Sequence, residues 1–275
     1  YALIFGYFGF PRLEALGSAW ASIVQYGVMV VCSLIYLAYN RSLSDYNISI
    51  LRPSLDKAYI KELWQLSWPV MLDKGLFAGA YLWLGAMISP MGKYAIASYT
   101  VIKDLERVAI LPAAAFAQVI TYLVSNAYGV RDWDGIKSNI KKTVFLSSVF
   151  VFSILAVFSA WPDYFIGIFD FKNKFTDFAA QAFPILSVLV FFDLLQLILS
   201  GALRGAKNVK VVMNARLITC LFYFMPVSLL LSRFLFANDF LRFILVYGSF
   251  YVGSGLMSIA YVARFRNDSW KDQTT

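Results

Sequence analysis

The sequence predicts an all-α fold: a polytopic bundle of membrane-crossing helices. Three observations carry that reading. Hydrophobic residues fill 60% of the 275 positions, with 25 Phe, 17 Tyr and 7 Trp, whereas a soluble domain is roughly half apolar. The apolar residues come in runs of about twenty or more, the length that crosses a bilayer as a helix. The Lys and Arg residues gather between the runs, densely in every second gap, as they do where alternate loops face the cytoplasm.

The elements follow in order. Residues 1–10 read as the end of a membrane helix, stopped at Gly9-Phe10-Pro11. Leu16 to Tyr39 is a full span whose start is rich in small residues (Gly17, Ser18, Ala19, Ala21, Ser22), which permit close helix approach. Asn40 to Tyr59 is polar, with Asp45, Arg52, Pro53, Asp56 and Lys57, and reads as a linker between two helical units. Six more spans are expected at 61–88, 94–127, 141–161, 177–203, 211–235 and 240–264. The second of them is long for a bilayer at about 1.5 Å per residue, and Pro112 inside it supplies a kink. The chain thus divides into 1–39, the end of one helical unit; 40–60, the linker; 61–264, a six-helix unit; and 265–275, a polar tail. Because it opens at Tyr1 inside an apolar run, the sequence reads as a segment of a longer protein.

Counting bases sets the orientation. The stretches 40–61, 131–142, 204–216 and 264–271 together hold fifteen Lys and Arg. The opposite set, Arg12, Lys93, Lys172, Lys174, Arg233 and Arg242, holds six. That asymmetry places the linker, the Gly205 turn and the C-terminus on the cytoplasmic side of a plasma membrane.

Several function classes fall away. The net charge of +8 is spread between hydrophobic runs and forms no single basic patch, so it reads as membrane orientation and not as nucleic-acid binding. The absence of His removes imidazole metal sites, bases and proton relays. Cys32 and Cys220 sit inside apolar runs and read as reduced, buried small hydrophobes. No nucleophile with a base, no metal-ligand cluster and no glycine-rich phosphate loop is present, so an enzyme and a bound cofactor are not expected. The partner that composition demands is the lipid bilayer.

Charges inside the spans carry the functional reading. They are Asp73, Lys74, Lys103, Asp104, Glu106, Arg107 and Asp193. Acids outnumber bases by one, a hint of a cation or proton site. Asp73 lies eleven residues after Glu62 and Asp193 eleven before Arg204. Each is then roughly 16 Å from the cytoplasmic end of its helix, near mid-bilayer. Two acids at one depth on different helices are expected to share a cavity, although Asp73 beside Lys74 also fits half of a structural ion pair. Asp193, Gln196, Ser200 and Arg204 recur at i, i+3, i+7 and i+11, one polar stripe that should face protein or water, not lipid. Lys103, Asp104, Glu106 and Arg107 share one side of their helix, and the pairs Lys103–Glu106 and Asp104–Arg107 are spaced to neutralise each other as a gating or structural network. The aromatic residues are expected mostly on lipid-facing surfaces and interface belts, with a few rings available to line a pocket for organic cations. Pro69, four residues before Asp73, loosens that helix around its acid.

These motifs resemble the multidrug and toxic compound extrusion (MATE) family. Gly201-Ala-Leu-Arg-Gly-Ala-Lys-Asn is similar to the family's G-x-L-R-G-x-x-D helix end, and Asp193 with Gln196 ahead of it resembles the acid-then-Gln pattern of helix ten. Trp68-Pro69 followed by Asp73-Lys-Gly-Leu76-Phe77 resembles helix seven; residues 16–22 resemble the start of helix six, and Ile110-Leu111-Pro112 the middle of helix eight. The likeness covers essentially the whole chain. It implies the six-helix C-terminal lobe of a two-lobe antiporter, plus the last one to two helices of the N-terminal lobe. It implies export of a small cationic amphipathic substrate against Na⁺ or H⁺, with Asp73, Asp193 and Gln196 as the binding residues, Na⁺ if used lying at Asp73 and Asp193, and a monomer when both lobes are complete. Two rival readings are a lipid-linked oligosaccharide flippase of the same superfamily, favoured by Lys74, Lys103 and Arg107, and a non-transporting helical scaffold or channel. Asn208 where the family often has Asp, Asp73 where it usually has Glu, and the 103–107 cluster depart from the pattern.

Overall fold

The computed structural model describes residues 14–39, 57–170, 173–233, 238–268 and 270–271. The expected helix at 1–10 and most of the expected linker at 40–59 lie outside the described residues. The chain forms two compact units, Tyr1–Ile60 and Lys61–Thr275. In the first, α1 (Glu14–Tyr39) is exposed residue after residue from Ala19 to Tyr36. Cys32 shares that exposure while Cys220 is buried. The expectation of two buried thiols therefore holds for Cys220 alone, because among the described residues of its unit nothing covers the Cys32 face of α1.

The second unit holds α2 (Lys57–Ile88), α3 (Lys93–Gly129), α4 (Trp133–Ala160), a short α5 (Pro162–Gly167), α6 (Thr176–Gly205), α7 (Val209–Ile218), α8 (Met225–Arg233) and α9 (Asp239–Arg266). A π-helical turn, Thr219–Phe224, joins α7 to α8 into one continuous span. Pro226, just past that turn, lacks the N–H that a regular ladder would use there. Among the described residues, six helices are long and apolar enough to cross a membrane. The helix expected at 61–88 is present as α2 but is not one of the six, because Asp73 and Lys74 interrupt its apolar run.

The core lies where α6 meets α3 and α9. Gly201 and Gly205, four residues apart on α6, let its backbone touch that of α3. A Cβ on Gly201 would lie 2.5 Å from the Ala117 carbonyl oxygen, and one on Gly205 2.4 Å from that of Thr121. Thr121 fastens the contact, its hydroxyl donating to the Gly201 carbonyl at 2.9 Å. Small residues spaced in this way bring membrane helices together where no aqueous hydrophobic effect acts between them. The Gly201–Gly205 stretch, expected to be a turn, is the last helical turn of α6; the chain reverses at Lys207, whose φ is +59°. On the other side of α6, Gly248 and Gly255 of α9 lie against Leu189 and Phe192.

The polar tail expected at 265–275 proves partly a core element. Trp270 is fully buried, edge-on to Trp133 with ring centroids 5.2 Å apart and near Tyr128 and Phe265. Asn208 explains the docking. Its Nδ2 donates to the Trp270 carbonyl at 3.1 Å and to that of Ala206 at 2.9 Å, while its Oδ1 accepts from Arg264. An Asp at this position would have no proton for either carbonyl.

Candidate functional site: a charged cavity among five helices

A cavity of about 570 Å³ opens among α2, α3, α6, α7 and α9. Its position follows from the packing just described. The glycine contact fixes α6 on α3, which turns the stripe Asp193, Gln196, Ser200 and Arg204 inward, and all four line the cavity. Lys103, Glu106 and Arg107 enter from α3, Lys74, Phe77 and Tyr81 from α2, Arg216 from α7 and Tyr251 from α9.

Asp193 is 8% exposed and accepts a hydrogen bond on Oδ1 from Ser254 of α9 at 3.2 Å. Glu106 is 5% exposed. Its Oε2 accepts from the hydroxyls of both Tyr247 and Tyr251, the latter at 2.6 Å. Its Oε1 is buried with no hydrogen-bond partner. The two tyrosines stack on each other with ring centroids 5.6 Å apart. A buried carboxylate oxygen without a donor is costly when charged, a cost that protonation relieves.

Asp73 behaves otherwise. It is 1% exposed and does not line the cavity. Arg216 Nε reaches its Oδ1 and Arg204 donates to its Oδ2, each at 2.5 Å. The expected pairing of Asp73 with Asp193 in one cavity is thus corrected: the second carboxylate facing Asp193's cavity is Glu106. Both acids lie inside the bundle, but Asp73 meets Arg204, about 16 Å along α6 from Asp193, so the count of residues from a helix end does not put the two acids in one place. The expected Asp73–Lys74 pair is likewise replaced by the two arginines, while Lys74 lines the cavity.

The 103–107 cluster divides in the same way. Asp104 and Arg107 form the expected i,i+3 pair at 3.8 Å, both well exposed. Lys103 does not pair with Glu106. Its ammonium lies over the rings of Tyr81, at 4.4 Å, and Tyr99, at 5.6 Å. The aromatic residues divide as expected: many, among them Trp20, Tyr122, Phe145 and Trp161, are exposed, while Tyr99, Tyr247 and Phe250 are buried and Phe77, Tyr81 and Tyr251 line the cavity. Arg216, Tyr247, Tyr251 and Ser254 carry the geometry, and the sequence reading passed over them. Arg216 counts there as a loop charge near a helix start. The α9 residues have one usable signal, the recurrence of hydroxyls at 247, 251, 254 and 258 on a single face of an apolar helix.

A bundle of hydrophobic spans enclosing a cavity with buried acids, arginines and rings defines a multi-pass membrane protein with a charged interior. The comparisons with known proteins agree with that class. The chain belongs to the MatE family, whose family model matches residues 69–230. A probable multidrug resistance protein NorM from Synechocystis is 25% identical over 275 residues, covering 97% of this chain and 58% of that protein. Its namesake from Pseudomonas putida is 26% identical over 220 residues, covering 76% and 46%. The chain therefore spans about half the length of the curated relatives it matches. Among solved structures, a point mutant of the Vibrio cholerae MATE transporter VcmN superposes with a TM-score of 0.80 at 14% identity, over 98% of this chain and 59% of that one. The eukaryotic MATE transporter AtDTX14 gives 0.81 at 19% identity, over 98% and 58%. At these identities the superpositions establish the fold.

Proposed function

We propose that the intact protein containing this chain is a secondary active antiporter of the plasma membrane, exporting cationic amphipathic compounds against inward movement of Na⁺ or H⁺. The observation that carries the reading is that Asp193 and Glu106, on different helices, line one cavity with Tyr81 and Tyr251. The names of the relatives, multidrug resistance proteins, support an export role. The rival readings gain nothing from these comparisons.

The charges support competition between two cations. Arg204 and Arg216 are committed to Asp73, and Arg107 to Asp104. One carboxylate does not neutralise two guanidinium groups, so with Lys74 and Lys103 facing Asp193 and Glu106 the buried set carries about one net positive charge when both acids are ionised. A proton or Na⁺ loaded on the acids makes the cavity more positive and drives an organic cation out. Ionised acids attract one in. Asp193 and Glu106 hold the exchanged charge, Gln196 offers an amide beside them, and Asp73 acts at a distance by fixing the two guanidinium groups that border the same cavity. The distribution of bases between the loops supports a cytoplasmic C-terminus, and the reading needs a single copy of the whole two-lobe protein.

The test is export of ethidium by the intact protein in vesicles under an imposed Na⁺ or pH gradient. Asp193→Asn and Glu106→Gln should each abolish gradient-driven export with the protein still in the membrane. Unchanged export in both variants would overturn the assignment.

A further inference from the structure

The aromatic side of the cavity has an occupant that the exchange of cations leaves unexplained. Lys103 Nζ lies 4.4 Å from the centroid of Tyr81 and 5.6 Å from that of Tyr99, within the distance at which a ring face attracts a cation. The two rings are tied together, because the Tyr99 hydroxyl donates to the Tyr81 carbonyl at 3.2 Å. Lys103 forms no ion pair among the described residues. One turn further along α3 lies Glu106, a buried carboxylate that lines the same cavity. Two ring faces beside a buried carboxylate are the chemistry that recognises an organic monocation, and a lysine from the same helix already lies on the rings.

We propose that Lys103 is a tethered competitor for an organic-cation subsite formed by Tyr81, Tyr99 and Glu106. The proposal rests on the antiport reading and deepens it, by naming the subsite that takes the cationic group of the substrate. The lysine stem is flexible and its ammonium is a compact charge, so it leaves the rings when a cation with its own apolar body arrives. Being covalently attached, it returns at a high effective concentration once that cation is gone. The subsite is then open only for the fraction of time that Lys103 is away, and apparent affinity falls by that fraction. For an exporter this favours release.

The experiment is equilibrium binding of tetraphenylphosphonium to the detergent-purified intact protein. Lys103→Met removes the competitor and should tighten binding about three- to tenfold, the range expected when a weak cation–π occupant is removed. Lys103→Arg keeps a cation that stacks on rings and should bind no tighter than wild type. In Lys103→Met with Tyr81→Leu, the gain should disappear. Should Lys103→Met fail to fold, Lys103→Gln makes the same test. Binding by Lys103→Met that equals or falls below wild type overturns the competitor. If wild type binds the probe and Asp193→Asn weakens it, the antiport reading stands whatever Lys103 does. No binding by any folded variant overturns both.

Discussion

Arg216 and Asp73, 143 residues apart in sequence, meet at 2.5 Å in the interior, where Arg216 Nε donates to Asp73 Oδ1. Arg204 fills Oδ2 of the same carboxylate, and the Arg216 guanidinium also lies 4.9 Å from the Phe77 ring. The side chains of Asp73 and Arg216 are 2% and 6% exposed, so neither charge has water to fall back on. Removing one member of such a group leaves the other buried and unneutralised, which typically costs about 3–5 kcal/mol. Asp73→Asn is expected to lower thermal stability in detergent and to weaken export by leaving two guanidinium groups near the acids. The double variant Asp73→Asn with Arg216→Gln should recover part of the loss. Additive losses would mean that the pair is not coupled.

The helix contact built on Gly201 and Gly205 sets the rotation of α6, and with it the direction of the polar stripe. A methyl group at either position runs into backbone of α3, not into a side chain that can move. Gly201→Val and Gly205→Val should therefore each destabilise the protein by roughly 1–3 kcal/mol or more, as overpacking does, read as a lower melting temperature. Ala202→Val is less informative because Ala202 is itself buried, whereas Lys207→Ala, beyond the helix, should leave the α3–α6 contact intact. Equal melting of wild type and both glycine variants would show that the helices do not approach as described.

Tyr247 and Tyr251 both donate to one oxygen of Glu106, so their removal acts on the acid and hardly on the cavity's shape. Tyr247→Phe with Tyr251→Phe leaves the carboxylate without donors, at about 1–3 kcal/mol for the exposed acceptor. Export should fall by about tenfold or more, and the Glu106→Gln change on that background should add little. If Glu106→Gln instead reduces export equally with and without the tyrosines, the clamp has no part in the exchange.

Much of this arrangement was readable from sequence, and the reasons for the gaps are physical. The stripe from Asp193 to Arg204 obeys a helical period on an apolar background, so its common face could be named before any partner was known. The apolar runs located the helices even where their ends shifted by several residues. What could not be read was pairing across helices. Depth counted along a helix axis placed Asp73 level with Asp193, yet Asp73 meets Arg204, three turns along the same helix from Asp193 and about 16 Å away. Arg216 is buried although it stands among loop charges, because Asp73 supplies its counter-charge from a distant segment. Glu106 has a base three residues before it, but two tyrosines from α9 reach it first.

The C-terminal turn gives the last prediction. Trp270 has no exposed surface and donates from Nε1 to the Phe265 carbonyl at 3.2 Å. It closes the end of the bundle where α3 turns into α4, between Trp133 and Tyr128, with Asn208 holding its backbone from the end of α6. Burial of this ring is expected to contribute several kcal/mol, so Trp270→Ala should cost about 3–5 kcal/mol. Asn208→Asp should cost less but act on the same contact. Near it Lys271 lies 2.8 Å from Asp268 and Lys137 3.5 Å away, and the hydrogen bond from Lys271 holds the Asp268 carboxyl below its ordinary range. A depressed carboxylate contributes stability above its unfolded value and loses it as pH falls through the folded one. The docked turn should thus persist at neutral pH and loosen only in acid below the usual carboxylate range, an effect that Asp268→Asn removes. Trp fluorescence and proteolysis of the tail measured from neutral pH downward should follow that order; a tail that is cleaved equally fast in wild type and Trp270→Ala at neutral pH would show that the ring is not docked.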